Sequence, residues 1–235
     1  MPTTSLQQHL REAGYDLIDG PIRNHKLLQL WLKKGFNGAE LYYDNLQHAF
    51  TGDTKLRISK DPGLSVNSTH KNDYAFQIGI TVLQEWMQSA GLPDIDFNTA
   101  ISGGSRLSIS YQNTITETVP LGELTDFFSG ADFHHPNPVL LRNANRNNIL
   151  VITGLVTAEH LVAEFMTDNK TNAKVINALK KKSGNRVEFT SGKNNTLKMV
   201  AGNSRFPIAV KASRLDFDKG RFNGLTLVTD GRDWF

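Results

Sequence analysis

The chain contains no cysteine. Disulfide bonds, thiolate catalysis and cysteine-ligated zinc sites all require this residue, so the sequence excludes all three. It also excludes S-palmitoylation, which attaches a lipid to a cysteine thiol. With 235 residues, the chain is nevertheless long enough to bury a substantial apolar core without covalent staples.

Long apolar runs are missing as well, since none approaches the ~20 residues that a membrane-spanning helix requires. The first residues, MPTT, carry neither the basic segment of a signal peptide nor the second-position glycine of an N-myristoylation site. We therefore expect the resting protein to lie in the cytoplasm. A formal net charge of +3 permits an anionic partner without requiring one. We predict no nucleic-acid partner.

Signatures of catalysis are also lacking. None of the seven histidines stands in an HExxH pattern. The segments SGGSR (102–106) and TSGKNN (190–195) lack the spacing of a nucleophile elbow or a phosphate loop, and both are typical of hairpin turns. We predict that the protein is not an enzyme and that it holds no metal and no cofactor.

What the sequence does have is a β pattern with a few helices. Strand-like alternation marks residues 54–82, 97–117, 186–190, 196–200 and 206–215. Helical spacing marks residues 6–13, 40–50, 81–90, 121–128 and 171–182, whereas 129–148 is predicted to be an exposed loop. Because the strands follow one another largely as hairpins, we predict an α+β fold with a twisted, mostly antiparallel β-sheet surrounded by helices.

The stretch 149–166, ILVITGLVTAEHLVAEFM, combines two patterns. Ile149–Val156 is apolar enough for a buried strand. Glu159, His160 and Glu164 then make its continuation half polar. The residues alone are explained by a plain half-buried strand.

Two basic clusters are candidates for contact with anionic lipid. They comprise Lys33, Lys34, Phe36, Lys180, Lys181 and Lys182. Lysines at the end of a helix are usually solvated, because cations are favourable at the negative end of the helix dipole. A lysine pair beside an aromatic residue also provides the charge and the small apolar wedge of a peripheral membrane contact. Both interpretations stay open.

Four blocks of the sequence occur in a characteristic order. They are LREAGYDLIDGPI with KLLQLWLKK (10–34), SRLSISYQNTITETVPLGELTDFF (105–128), ILVITGLVTAEHLVAEF (149–165), and RVEFTSGKNNTLKM with FPIAVKASRLDFDKGRF (186–222). This order resembles the pore-forming domain of the gasdermin family, and specifically its short bacterial members. The bacterial members typically carry an acylated cysteine near the N-terminus, which this chain lacks.

The resemblance implies that two hairpin regions, here about 54–80 and 156–200, refold into membrane-spanning strands of a pore made of many copies. A barrel strand spans the bilayer with only ~9–11 residues, provided that one of its faces is apolar. The candidate membrane-inserting residues are Leu161, Phe165, Val187, Phe189, Leu197 and Met199.

The resemblance also implies a pore-forming domain at 1–221 and a short inhibitory tail at 222–235. Chain ends are usually polar, but this one finishes LTLVTDGRDWF and therefore has apolar residues to bury. These are Leu225, Leu227, Val228, Trp234 and Phe235. The simpler alternative is a final strand that completes the fold.

The polar stretch 216–224, just before LTLVTDGRDWF, suits cleavage by a protease. Lys219 and Arg221 would suit a trypsin-like protease, and Asp216 or Asp218 a caspase-like one. The sequence does not choose between them.

The function that the resemblance implies is an autoinhibited effector of cell death. After activation it would form a large β-barrel pore in the cell's own inner membrane, in antiphage defence by abortive infection. Its partners would be anionic lipid, further copies of the chain and an activating protease. The main alternative is a soluble binding or scaffold domain without membrane activity, and an uncharacterised hydrolase ranks third.

Overall fold

The computed structural model describes residues 10–18, 25–34, 38–52, 55–63, 66–68, 106–134, 137–166, 187–191, 196–201 and 205–229, together with Ile80 and Gln84. The first strands are β1 (Asp16–Leu17), β2 (Leu30–Lys33), β3 (Ala39–Tyr43), β4 (Phe50–Thr51), β5 (Ser59–Pro62), β6 (Val66–Ser68), β7 (Arg106–Gln112) and β8 (Ile115–Thr118). The later strands are β9 (Asp132–Phe133), β10 (Ile149–Ala158), β11 (His160–Met166), β12 (Val187–Ser191), β13 (Thr196–Ala201), β14 (Phe206–Asp218) and β15 (Arg221–Leu227). The helices are α1 (Leu121–Gly130), α2 (Pro138–Ala144) and a 3₁₀ helix at Leu46–His48.

The larger, eight-stranded sheet is built around β10. This strand pairs with β14 along one edge and with β2 and then β8 along the other. All ten of its residues are buried, which explains why its sequence carries no charge. Its two threonines, Thr153 and Thr157, donate their hydroxyls to the carbonyls of Lys211 and Ile115. The predicted buried strand at the start of 149–166 is confirmed.

An aromatic core lies between this sheet and α1. The helix buries Leu124, Phe127 and Phe128 on one side. The ring of Phe128 lies 5.1 Å from that of Phe50 and 5.3 Å from that of Phe222. Each such buried side chain contributes about 1.5–3 kcal/mol through removal of apolar surface from water. The core therefore ties residues from opposite ends of the chain to the central sheet.

The smaller sheet has five strands in the order β12-β13-β11-β7-β6. Its strands come from two stretches of the chain, 66–112 and 160–201, which meet where β7 pairs with β11. The hairpin region expected from the sequence ends at about residue 80. In the structure the described partner of β6 is β7, so the first stretch reaches residue 112. All strand pairs among the described residues, including the separate two-stranded sheet of β4 and β9, are antiparallel, which confirms the predicted α+β class with a mostly antiparallel sheet.

The predicted helix at 40–50 is wrong. The stretch contains most of β3, the 3₁₀ helix and the first residue of β4. β3 is hydrogen-bonded to β2, and Leu41, which supported the helical spacing, is exposed. Leu41, Leu46 and Phe50 have helical spacing by coincidence, because each belongs to a different element.

The predicted exposed loop at 129–148 is wrong in part, since it contains β9 and α2. Asn137 caps α2 by accepting hydrogen bonds from the amides of Val139 and Leu140, at 3.0 and 3.1 Å. Pro138 begins the helix, where its missing N–H costs nothing. The Asn-Pro pair is thus a helix start, although it suggests a loop by composition. The predicted helices at 81–90 and 171–182 lie, except for Gln84, outside the described residues.

Tyr15 lies against the middle of the larger sheet, where its hydroxyl approaches Gly154 of β10. Only 5% of the residue is exposed. Burial, together with the nearby Asp61 carboxylate, raises the pKa of Tyr15 to about 12. The Lys211 ammonium lies over the tyrosine ring, 5.3 Å from its centroid.

We expect Tyr15 to make the fold sensitive to alkali. Because its folded pKa lies above the ordinary value of 10.0, its contribution to stability is complete below pH 10 and is lost as the pH rises through about 12. Tyr15→Phe keeps the ring under Lys211 and removes the titrating group. Urea unfolding below pH 10 and near pH 12 should show a smaller loss of unfolding free energy for the variant. Equal losses in both proteins would contradict this assignment.

Candidate functional site: a row of strand junctions

Four strands of the larger sheet are connected directly to four strands of the smaller sheet. The connections run from β5 to β6, from β7 to β8, from β10 to β11 and from β13 to β14. The order β5-β8-β10-β14 in the larger sheet matches the order β6-β7-β11-β13 in the smaller one. We call these four aligned interruptions the strand junctions.

The pairing register is unchanged between the second and third junctions. On the larger sheet, Thr157 pairs with Ile115. Three steps along the chain from Thr157 and three steps back from Ile115 lead to His160 and Gln112, which are paired in the smaller sheet. The β7–β8 and β10–β11 segments therefore form one antiparallel ladder that is interrupted without a slip in register.

The pairing register is also unchanged between the first and second junctions. Pro62 pairs with Ile115, and four steps along each strand lead to the paired residues Val66 and Tyr111.

The fourth junction differs from the other three. Ala158 pairs with Phe206, whereas Leu161 pairs with Ala201, so three steps on one strand oppose five on the other. Two extra residues therefore lie on the β13–β14 side.

Polar contacts connect the junctions laterally. The Asn113 side-chain amide donates to the Glu159 carboxylate at 3.4 Å, and that carboxylate accepts from the Arg205 guanidinium at 2.7 and 2.8 Å. The Gly63 amide donates to the carbonyl of Thr114 at 2.6 Å. Asn113 has a φ of 51°, in the left-handed region that asparagine tolerates better than most residues. The interruption of β7–β8 is therefore a defined conformation and not a fraying of the strand.

Gly63 is expected to be intolerant of a side chain. A Cβ at this position would lie 2.6 Å from Thr114 Oγ1 and 3.0 Å from the Thr114 carbonyl carbon, which cannot swing aside. Gly63→Ala should therefore lower the unfolding free energy by about 1–3 kcal/mol in urea titrations. Gly122→Ala is the matched control, because nothing lies within 4 Å of that position. An equal effect of the two substitutions would contradict the close approach of Gly63 to Thr114.

The two faces of the smaller sheet differ in polarity: one is mostly apolar and the other is mixed. Paired residues, and alternate residues along a strand, share a face. By register, one face carries Leu107, Ile109, Tyr111, Leu161, Ala163, Phe165, Val187, Phe189, Leu197, Met199 and Ala201, with Ser68 and Ser191 on the edge strands. The opposite face is mixed, with Ser108, Ser110, Glu164, Glu188, Thr190 and Lys198 beside Val162 and Val200. All six residues that the sequence predicts to enter a membrane share the apolar face.

The candidate lipid contacts are described only at Lys33 and Lys34, at the end of β2. Lys34 forms an ion pair with Glu40 at 2.5 Å, and both side chains are more than half exposed. Such an exposed pair contributes only about 0–1 kcal/mol, so it restrains the lysine weakly. Phe36 and Lys180–Lys182 lie outside the described residues.

The first part of the predicted tail is docked on the larger sheet. β15 forms a hairpin with β14, and Phe222 and Leu225 pack against the aromatic core. Beyond the strand, Thr229 is buried, donates its hydroxyl to the Gly14 carbonyl at 2.6 Å and accepts from the Ala212 amide at 3.1 Å. Main-chain pairing, apolar packing and one buried hydroxyl thus hold residues 222–229.

The other predicted apolar residues of the tail divide into two groups. Leu227 and Val228 are half-buried, and the Val228 amide donates to the Ala212 carbonyl. Trp234 and Phe235 lie outside the described residues.

Three of the four candidate cleavage residues are exposed at the β14–β15 turn. Lys219 and Gly220, with φ of 50° and 80°, form a two-residue turn between the paired residues Asp218 and Arg221. Asp218, Lys219 and Arg221 are exposed.

Asp216 differs from these three because its carboxylate is engaged. One oxygen accepts from Arg214 Nε at 2.6 Å and the other from the Thr226 hydroxyl at 2.5 Å.

In the part of the chain that the structure describes, no cluster of side chains has the composition of a metal site. Among the same residues, no helix has the length and apolarity needed to cross a membrane.

Comparison with known proteins identifies the family. No curated protein matches the chain in sequence. The model of the Bacterial Gasdermin Family matches residues 18–221. The chain belongs to this family. Gasdermins are pore-forming proteins, and the resemblance noted in the sequence is confirmed.

A solved gasdermin structure shares the fold. A bacterial gasdermin from Bradyrhizobium tropiciagri is similar with a TM-score of 0.53 and 16% identity, over 93% of this chain and 89% of that chain. The Gasdermin A3 membrane pore aligns with a TM-score of 0.37 and 12% identity, over 94% of this chain and 91% of that chain.

The sequence of this gasdermin does not predict its junction residues. Asn113 stands between two alternating segments, which is a weak signal for an interruption. Glu159 and Arg205 are 46 residues apart and carry no local signal of their contact.

Proposed function

We propose that this gasdermin is an autoinhibited, pore-forming effector of cell death. On activation, the strands of the smaller sheet extend through the strand junctions into continuous strands. Many copies then assemble them into a large β-barrel pore in the cell's own inner membrane. The resting protein is cytoplasmic and has no enzymatic activity.

The single observation that carries the proposal is the alignment of the two sheets. Strands β7 and β8 together span residues 106–118, and β10 and β11 span 149–166. Both exceed the ~9–11 residues that a barrel strand needs to cross a bilayer. The unchanged register means that these neighbours can become continuous without breaking and re-forming their pairing one residue out of step. The apolar face of the smaller sheet provides the surface that lipid requires.

Autoinhibition by the tail is the regulatory part of the proposal. Its support is the docking of β15 on β14, together with the end of the family match at Arg221. We propose that a protease cuts at the β14–β15 turn. Asp218, Lys219 and Arg221 are better candidates than Asp216, whose carboxylate is bound on both oxygens.

The membrane partner in this proposal is anionic lipid. Lys33 and Lys34, with Phe36 and Lys180–Lys182, provide the basic and aromatic residues that such a surface attracts. Each lysine near an anionic surface is worth about 1 kcal/mol, which salt weakens. Family membership supports a role in killing the host cell, and we propose antiphage defence as its purpose.

Dye release from liposomes tests this function. The full-length chain and a chain ending at Arg221 are added to liposomes of anionic and of neutral lipid. We expect release of large trapped dyes only with the shortened chain, faster from anionic liposomes and slower as salt is added. The absence of release from a folded, shortened chain in both lipids would favour the alternative, a soluble binding or scaffold domain.

A further inference from the structure

One carboxylate connects three of the four strand junctions. Glu159 lies between β10 and β11, and its Oε1 accepts from Arg205 Nε at 2.8 Å and Nη2 at 2.7 Å. Its Oε2 accepts from Asn113 Nδ2 at 3.4 Å. Asn113 lies between β7 and β8, and Arg205 immediately precedes β14. The three partners therefore come from three separate junctions.

These contacts belong to the interrupted form of the strands. The φ of Asn113 is 51°, whereas an extended antiparallel strand has a φ near about −140°. Making β7–β8 continuous therefore has to rotate the backbone at Asn113 and move its side chain. Arg205 lies between Ala201 and Phe206, on the strand that carries two extra residues at the fourth junction. Making the pairing of this strand continuous would require these two residues to shift, and this shift would move Arg205 relative to Glu159.

We propose that Asn113, Glu159 and Arg205 form a clasp that holds the strand junctions in the resting conformation and has to open before the two sheets become continuous. The proposal rests on the proposed function, because the clasp affects activity only if the strands extend. The Glu159 and Arg205 side chains are 30% and 43% exposed. Such a half-solvated pair is weak enough to open reversibly, so it slows strand extension without blocking it.

Substitutions test the clasp in the soluble, full-length protein first. Glu159→Gln removes the charge that binds Arg205. We expect hydrogen exchange of the backbone amides at 112–118 and 154–160 to become roughly two- to five-fold faster. The charge swap Glu159→Arg with Arg205→Glu restores an ion pair and should return exchange to within about twofold of the original protein.

A matched control uses an ion pair within the larger sheet. Lys60 of β5 and Glu117 of β8 are 2.6 Å apart and lie within the larger sheet, away from the junctions. Lys60→Gln breaks this pair without touching the clasp. It should leave exchange at 154–160 unchanged.

The same variants, shortened at Arg221, are then compared on anionic liposomes. We expect Glu159→Gln to accelerate dye release roughly two- to five-fold, the charge swap to reverse this, and Lys60→Gln to have no effect. Release at the original rate from Glu159→Gln would overturn the clasp while leaving the pore intact. If no chain releases dye, the proposed function fails, and hydrogen exchange alone tests the clasp. Unchanged exchange in Glu159→Gln then overturns the clasp. Faster exchange that the charge swap reverses supports the clasp as a lock on the junctions.

Discussion

A chain that ends at Arg221 is expected to kill the bacteria that produce it, whereas the full-length chain is tolerated. The stop removes all of β15 except Arg221, and with it Phe222 and Leu225, which pack against the aromatic core. The outer edge of β14 from Ser213 to Phe217 then loses its partner strand. An uncovered strand edge readily pairs with another chain, which is the event that assembly of many copies requires. Colony counts under tight induction should fall by orders of magnitude.

Two further chains separate the parts of the tail. A stop after Thr229 keeps β15 and removes only the last residues, so its toxicity would assign inhibition to 230–235. Thr229→Val keeps the full length and removes the hydroxyl that binds Gly14 and Ala212. Leaving those buried groups unsatisfied costs about 1–3 kcal/mol, which should make the full-length chain partly toxic. If the chain that ends at Arg221 is soluble, folded and harmless, the tail is structural and autoinhibition by it is wrong.

A positive charge on the apolar face of the smaller sheet is expected to abolish pore formation. Phe189 and Thr190 are neighbours on the edge strand β12 and lie on opposite faces by register. In a barrel, an arginine at the lipid-facing position costs about 2–4 kcal/mol at the bilayer centre, or roughly 30-fold or more in the population of the inserted state. Phe189→Arg should therefore lose dye release, whereas Thr190→Arg, with the same change in charge, should retain it.

The comparison requires that both variants fold in solution. Circular dichroism and urea unfolding of the full-length chains provide this control. Leu161→Arg and Phe165→Arg, on the same apolar face of the more central strand β11, extend the test. Retained dye release by folded Phe189→Arg, Leu161→Arg and Phe165→Arg would contradict the assignment of this face to lipid.

Local sequence patterns predict those features of the fold that depend only on residues close together in the chain. β10 follows from an uncharged apolar run. Alternation within a strand places Leu161 and Phe165 on one face of β11, and Val187 and Phe189 on one face of β12, whereas the register through β13 brings the two pairs to the same face of the sheet. The sequence does not predict the start of α2 at Pro138, because the Asn137-Pro138 pair also suits a loop.

The strand junctions lie beyond such reasoning because they depend on pairing between distant segments. No local pattern reports that the step from Thr157 to His160 equals the step from Ile115 to Gln112. The contact of Glu159 with Arg205 likewise exists only once β11 and β13 have paired.

The distance across one junction tests most directly whether the strands extend through the junctions. Because the chain has no native cysteine, Ser108 of β7 and Thr118 of β8 can be replaced by cysteine and carry the only spin labels. Because the φ of Asn113 is 51°, we expect the labels in the soluble protein to lie closer together than along a straight strand. After activation on anionic liposomes, a continuous strand of ten steps predicts a lengthening to about 33 Å. An unchanged distance in liposomes that have released their dye would contradict extension of the strands through the junctions.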